Sequence, residues 1–428
     1  MSLPARRAAA GCGLPIRVVS RRLVRASDPS IQPHVLAVSH LDLYANTEQC
    51  ALTCVYPKPP AGAGDFNAVV AAFEANMPAY LNHFFPMAGR IVVDPSSGIP
   101  ELHCYNQGAE LIVAHAGVEL SALDWSLSGQ SLKRIHVPYA QDMVLSVQLL
   151  SFACGGFAVV WAANNLVGDG NVGVMLVRMW TELVRTGTIS GGGPIHDRSV
   201  LRQFSRPRDP PTYGASVAAM YTRWDHEQEV DALMAEDEKR GRLLWWVDGR
   251  RRFSSPELRS SLRNYAGNVT SYVVADAAAA TVLSKPLAGV AAMVREAVTL
   301  TPADYDELYQ QMVDWMEVHR PTNFVETPAI GLGSPTLAQT MWSSFPNDTD
   351  FGFGEAALAM PVHQNLGRLC MGLICITPKP ADPGTWIVSA FIWPRLAAVL
   401  ESDEQRIFKP LTADFLGLTR GHGLRPRL

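Results

Sequence analysis

Residues 164–170 read N-N-L-V-G-D-G, and this short stretch holds the residue types that could do chemistry. Asp169 is its one carboxylate. Asn165 carries an amide that can orient a neighbour by hydrogen bonding but has no basic lone pair. Gly168, Gly170 and Gly173 also spell G-x-G-x-x-G, a pattern that can cradle a dinucleotide pyrophosphate. Asp169 would set a negative charge against that phosphate. The first acid at suitable distance, Asp197, lies beyond Gly191-Gly192-Gly193, and no further βαβ units follow. A nucleotide site is therefore the weaker reading.

The corner needs an element on each side to hold it. Seven apolar residues, 157–163, suit a strand buried on both faces, and Gly155-Gly156 joins them to the run 143–154 as a hairpin. After the corner, Val172, Met175, Leu176, Met179, Trp180 and Leu183 recur at helical spacing, and Gly187 stops the helix. A strand end, a tight turn and a helix start form a place where α/β proteins put chemistry.

Read as a whole, N-N-L-V-G-D-G resembles the His-x-x-x-Asp-Gly motif of the BAHD acyltransferases, plant enzymes that move acyl groups from coenzyme A to alcohols or amines. Asp350-Phe351-Gly352-Phe353-Gly354 is similar to their Asp-Phe-Gly-Trp-Gly signature. Phe-Pro-Met-Ala-Gly-Arg (85–90), Val-Asp-Gly-Arg (247–250) and Tyr-Ala-Gly-Asn (265–268) resemble further landmarks, in the family's order and across most of the chain. One departure is large: Asn165 stands where the family has its catalytic histidine.

The resemblance implies an α/β fold of two chloramphenicol-acetyltransferase-like domains, each a mixed β-sheet flanked by helices, joined by a crossover loop. The expected division is 1–190 for the N-terminal domain, 191–214 for the crossover loop and 215–428 for the C-terminal domain. It implies an acyl-CoA-dependent acyltransferase homologue that moves an acyl group, hydroxycinnamoyl among the candidates, to a hydroxyl or amine of a small metabolite. Acyl-CoA is the co-substrate, with no permanently bound cofactor and no metal. Loss of the general base should weaken such an enzyme. The alternative is a catalytically inactive relative that binds acyl-CoA or a protein partner.

The site residues implied are Asn165, Asp169, Thr340 and Trp342, with structural support from Arg250, Asp350, Gly352 and Gly354. The family's motif aspartate pairs with an arginine and stiffens the corner; Arg250 is the first candidate partner and Arg252 the second. Thr340 and Trp342 precede Asp350 as they do in hydroxycinnamoyl-transferring members, where the threonine helps hold the oxyanion and the tryptophan frames the acyl pocket. Plain core packing is the competing reading of Trp342. Asp350, Gly352 and Gly354 are expected to support folding away from the reaction centre.

Composition narrows the class. The chain has 428 residues, enough for two domains with full cores, and a net charge of −4, which gives no field to attract nucleic acid. No apolar run is long enough to cross a bilayer. Seven cysteines, an odd and scattered set, read as free thiols rather than a disulfide framework or metal site. Six arginines and no acid in the first 27 residues resemble a transit peptide, yet Ile16 to Ser20 alternates like the first strand of the family, and a cytoplasmic monomer is expected.

Coarser features complete the reading. Residues 40–43 and 51–56 are expected as strands, and Asp65 as the cap of a helix carrying Val69, Phe73 and Met77. The Gly- and Pro-rich segment 191–214 cannot hold a regular element; His196 within it reads as a solvated loop histidine. Residues 212–224 and 277–300 are expected to be helical. In the family a strand and a helix usually follow the Asp-Pro-Pro loop. Here Tyr213 follows Pro210-Pro211 at once, so the second sheet is expected to show an exposed edge.

Overall fold

The computed structural model describes residues 14, 16–44, 49–201, 204, 206–223, 240–322, 324–330, 336–342, 348–363, 371–403 and 407–419. The start of the arginine-rich N-terminus, Cys12, Cys370, Trp224 and most of the charged run 225–242 lie outside the described residues.

The first half runs β1 (Ile16–Val24), β2 (His34–Ala37), α1 (His40–Leu43), β3 (Gln49–Tyr56) and α2 (Phe66–His83). It continues through β4 (Arg90–Val93), β5 (Pro100–Cys104), β6 (Ala109–Ala116), α3 (Ser128–Ile135), β7 (Leu145–Ser151), β8 (Phe157–Asn164) and α4 (Gly170–Thr186). The second half begins with α5 (Ala215–Ala218), β9 (Tyr221–Arg223), β10 (Arg240–Asp248), α6 (Pro256–Ser261), β11 (Thr270–Ala278), α7 (Ala279–Leu283) and α8 (Leu287–Val298). It ends with α9 (Pro302–His319), β12 (Phe324–Glu326), β13 (Thr336–Met341), β14 (Leu358–His363), β15 (Met371–Lys379), β16 (Asp382–Phe391) and α10 (Pro394–Glu401).

Two mixed sheets carry the molecule, giving the two-domain α/β architecture of chloramphenicol-acetyltransferase type. The first has the order β1-β6-β7-β8-β3-β14, and the second β11-β10-β13-β15-β16. Strand β14 lies late in the chain yet pairs antiparallel with β3, so the second half completes the first sheet. Period-two alternation divides β3 between two cores: Leu52, Cys54 and Tyr56 face α2 and α4, while Val55 faces α3. The first core centres on Phe73, Tyr80, Trp161, Trp180 and Phe351; Phe73 and Trp180 stack at 4.1 Å. The second gathers Phe253, Tyr309, Met312 and Trp315 around α9.

Several local expectations are corrected. Residues His40–Leu43 form helix α1, not a strand, because Ser39 and Asp42 build a reciprocal capping box around its start. The expected helix over 212–224 is reduced to α5, after which the chain extends into β9 and pairs with β12. Residues 277–300 begin as the end of β11, and two helices follow, parted at Pro286, which holds no N–H for a continuing helix. The edges of the second sheet are β11 and β16. Asp65 caps α2 by accepting from the N–H groups of Asn67 and Ala68.

One buried-face histidine makes stability depend on pH. His136, just past α3, lies 2.8 Å from the Thr53 hydroxyl through Nε2. Burial, aided by the Lys133 charge, pushes its imidazole down to about 4 from an ordinary 6.5. The unfolded chain therefore takes up a proton near 6.5 that the folded chain refuses until about 4. Stability present above 6.5 should be lost as pH falls through this window, and His136→Gln should flatten that part of the unfolding-midpoint profile. A variant profile as steep as the wild type would remove His136 as the cause.

Candidate active site

The corner after β8 is a single 3-10 turn, Asn165–Val167, that starts because Asn164 turns its buried side chain back to accept from the Leu166 N–H at 2.9 Å. Asp169 then caps α4 by accepting from the Asn171 N–H at 3.2 Å. This is also where Asp169 meets the second half of the chain. Its Oδ2 accepts from Arg250 Nη1 at 2.8 Å, the Val269 N–H at 3.0 Å and the Thr270 hydroxyl at 3.0 Å; its Oδ1 accepts from Arg250 Nη2 at 3.0 Å. The carboxylate is fully engaged and turned away from bond-making.

Arg250 is nearly enclosed, 3% exposed at its side chain. It also donates to Asp248 Oδ1 at 2.9 Å and to the carbonyls of Tyr265 and Gly267. Burial opposes its charge, but Asp169 and Asp248 outweigh burial and hold the guanidinium above its ordinary value. Arg252 is elsewhere, stacked over the Tyr305 ring at 5.2 Å.

A second buried network braces the corner from the other side, and nothing in the sequence reading gave it a role. Asp42 is fully buried; Arg198 Nε donates to its Oδ2 at 2.8 Å, and Asn268 donates to its Oδ1 at 3.0 Å. Arg198 also reaches the Val167 carbonyl at 3.4 Å, and Asn268 the Asn165 carbonyl at 2.9 Å. Asn268 belongs to the Tyr-Ala-Gly-Asn landmark, which was the available signal, and Arg198 lies in the 191–214 segment. Asp42 was hidden by its assignment to a strand.

Asn165 itself is half-buried, and among the described residues its amide has no hydrogen-bond partner. It lines a cavity of roughly 1710 Å³ together with Asp169, Arg250, Thr340 and Trp342. Trp342 crosses from the second half onto the start of α4, where a Cβ on Gly170 would lie 3.1 Å from its ring. Its Nε1 donates to Thr340 Oγ1 at 3.1 Å, which leaves the threonine proton able to donate into the cavity.

Asp350, Gly352 and Gly354 are not at the cavity. Asp350 Oδ1 accepts from the N–H groups of Gly352 and Gly354 at 2.8 and 3.0 Å, and both glycines have positive φ, 105° and 89°. The turn they make buries Phe351 edge-on against Tyr56 at 5.6 Å. His196 is half-buried rather than solvated, its Nε2 3.1 Å from the His83 carbonyl, and it does not line the cavity. Among the described residues no group of histidine, cysteine, aspartate or glutamate could hold a metal ion, and Cys54, Cys104, Cys154 and Cys375 are free thiols. No helix among them is long and apolar enough to cross a membrane.

Two sheets bridged by β14, with a large cavity at the turn after a buried strand, define a two-domain acyltransferase fold. Solved structures share it: vinorine synthase with a TM-score of 0.64 at 18% identity, covering 88% of this chain and 94% of its own. TRI101 of F. graminearum, complexed with coenzyme A and T-2 mycotoxin, also gives 0.64, at 11% identity and 87% and 98% coverage. The chain belongs to the Transferase family, that of the BAHD acyltransferases, whose profile matches residues 14–238 and 227–405. A hydroxycinnamoyltransferase of Narcissus pseudonarcissus is 25% identical over 86% of this chain and 94% of its own length. Shikimate O-hydroxycinnamoyltransferase of Nicotiana tabacum is likewise 25% identical, over 84% and 91%.

Proposed function

We propose that the protein is a coenzyme A-dependent acyltransferase that passes an acyl group, of hydroxycinnamoyl type, to a small acceptor at the Asn165 corner. The observation that carries this reading is the meeting of Asn165, Asp169, Thr340 and Trp342, drawn from both halves of the chain, on one cavity. Arg178, Arg263 and Arg295 also line it, a cationic surface suited to a phosphate-bearing thioester. The acceptor atom attacks the thioester carbonyl, and the Thr340 hydroxyl, already accepting from Trp342, donates to the oxygen that gains charge. One such donor is worth ~2.7–4 kcal/mol. Asp169 and Arg250 keep the corner rigid without touching substrate.

Asn165 occupies the position of the general base and cannot take a proton. Removing a base lowers rate by ~10²–10⁴-fold, while positioning alone can supply ~7–11 kcal/mol, so slow turnover survives. Acceptors that attack without first losing a proton, such as neutral amines, suit this site best. The division into 1–190 and 215–428 about the 191–214 crossover, with a cytoplasmic monomer, belongs to the same proposal.

The test is thermal unfolding with a panel of CoA thioesters, p-coumaroyl-CoA among them. A thioester at 100 times its dissociation constant adds ~2.7 kcal/mol and raises the midpoint by a few degrees. No shift with any thioester would end the acyltransferase reading and its non-catalytic, acyl-CoA-binding alternative together.

A further inference from the structure

One wall of the cavity is loosely held. Helix α8 runs for 12 residues, largely alanine and valine, yet none of them is buried. Its half-buried face carries Val290, Met293, Val294, Ala297 and Val298, and its main neighbour is β11, an edge strand of the second sheet. Arg295 and Glu296 are its charged residues, and among the described residues neither side chain makes a hydrogen bond or ion pair. Nothing caps its start, since the N-cap residue is Pro286 and no side chain bonds to the first N–H groups. Both flanks are extended, Pro286 with ψ 158° and Thr299 with ψ 94°, so the helix hangs between two pivots. Helix α9, which follows, is the contrast: Thr301 and Asp304 close a capping box around its start, and Tyr305, Tyr309 and Met312 are buried.

A segment with no buried side chain and no polar tie opens at low free-energy cost. This one also has a cavity face. Ala291, Val294, Arg295 and Val298 recur at helical spacing and line the cavity, as do Trp245 and Trp246 of β10. The volume is the second observation. At roughly 1710 Å³ the cavity exceeds the ~300–1,000 Å³ in which pockets usually enclose a small ligand. A donor in so wide a space keeps water around its thioester unless a wall draws in. Helix α4 and strands β10 and β11 are anchored in the two cores, and α8 is not.

We propose that α8 is a lid, which swings about 285–286 and 299–300 and closes onto the bound thioester, bringing Arg295 to one of its phosphates. This rests on the acyl-transfer reading above and adds the moving part of its site. Closure covers Val294 and Val298 with ligand and pairs Arg295 with an anion, gains that exist only when the donor is present. Open when empty, the helix admits a large thioester; shut, it excludes water from the carbonyl. That exclusion matters more here than in a fast enzyme. Transfer without a base at Asn165 is slow, so a thioester left open to water would be lost to hydrolysis while it waits.

Hydrogen–deuterium exchange of the full chain, with and without p-coumaroyl-CoA, tests this. Amides of α8 should exchange freely in the empty protein and at least tenfold more slowly with the thioester, while those of α9 change less than twofold. Stopped-flow tryptophan fluorescence gives a second readout. After a phase linear in thioester concentration, a slower phase whose rate saturates should report closure over Trp245 and Trp246. Val294→Asp sets a charge on the closing face and spares both cores; it should abolish the saturating phase and weaken the thioester at least tenfold. An α8 already protected when empty overturns the lid, and so does a saturating phase that persists in Val294→Asp. Unchanged α8 exchange, with the thermal midpoint still raised by the thioester, likewise removes the lid and leaves acyl transfer standing. No rise of the midpoint with any thioester removes both.

Discussion

Asn165→His raises the rate of acyl transfer at least tenfold, the largest gain expected of any single change in this chain. The position is half-buried, faces the cavity, and holds an amide with no competing partner among the described residues, so an imidazole there would meet the acceptor. Its backbone is already braced: the Asn165 carbonyl accepts from Asn268, and Asn268 is held by the buried Asp42. A new base therefore arrives on a fixed turn. General-base assistance is worth ~10²–10⁴-fold for a well-placed group, and imperfect aim explains a lower bound of ten. The pH profile gives a second readout. With 1-butanol, which does not titrate in this range, the variant's rate should bend at the ordinary histidine value of ~6.5, and the wild type should show no bend there. The measurement is release of free coenzyme A from p-coumaroyl-CoA in the presence of 1,4-diaminobutane and of 1-butanol, and the larger gain should fall on the alcohol, which depends more on a base. No gain in a variant that still binds the thioester would favour the non-catalytic reading.

How much of this was legible beforehand depended on how local the signal was. The hairpin at Gly155-Gly156, the strand expected over 157–163, the Asp65 cap and the stop at Gly187 were all readable because each is decided by residues within a few positions. Helix α1 was not: His40–Leu43 looks like a strand by apolarity, and only the reciprocal bond between Ser39 and Asp42 makes it helical. The stretch 212–224 carries helical spacing, yet the pairing of Tyr221 with Glu326, more than a hundred residues away, extends the chain instead. The site shows the same division. Asn165, Asp169, Thr340 and Trp342 could be named from motifs, but no spacing relates Arg178, Trp245 and Arg295, which three separate elements bring to one cavity. Asp42 escaped for both reasons, a misread element and a partner 156 residues on.

Arg250→Ala should cost about 3–5 kcal/mol of stability. The guanidinium is 3% exposed and answers four acceptors at once: Asp169, Asp248 and the carbonyls of Tyr265 and Gly267. Truncating it leaves Asp169, whose side chain is 8% exposed, as a buried carboxylate that has lost its cation and keeps only N–H and hydroxyl donors. The penalty is thus mainly an orphaned charge, and this has a signature. Arg250→Ala with Asp169→Ala should be less than additive, because removing both members leaves no uncompensated charge behind. Arg252→Ala is the contrast, since among the described residues its guanidinium only stacks on Tyr305, and it should cost ~0.5–1 kcal/mol. Urea midpoints of the four variants decide the matter. If Arg250→Ala unfolds within 1 kcal/mol of the wild type, or if the double variant is fully additive, the pair does not hold the two halves at the corner. Asp169 would then be a helix cap whose contact with Arg250 is incidental. If the cycle closes as expected, the rigidity of the Asn165 turn has a measured source. The slow transfer proposed for a site without a base then has its physical ground, because positioning is the part of the catalysis that survives.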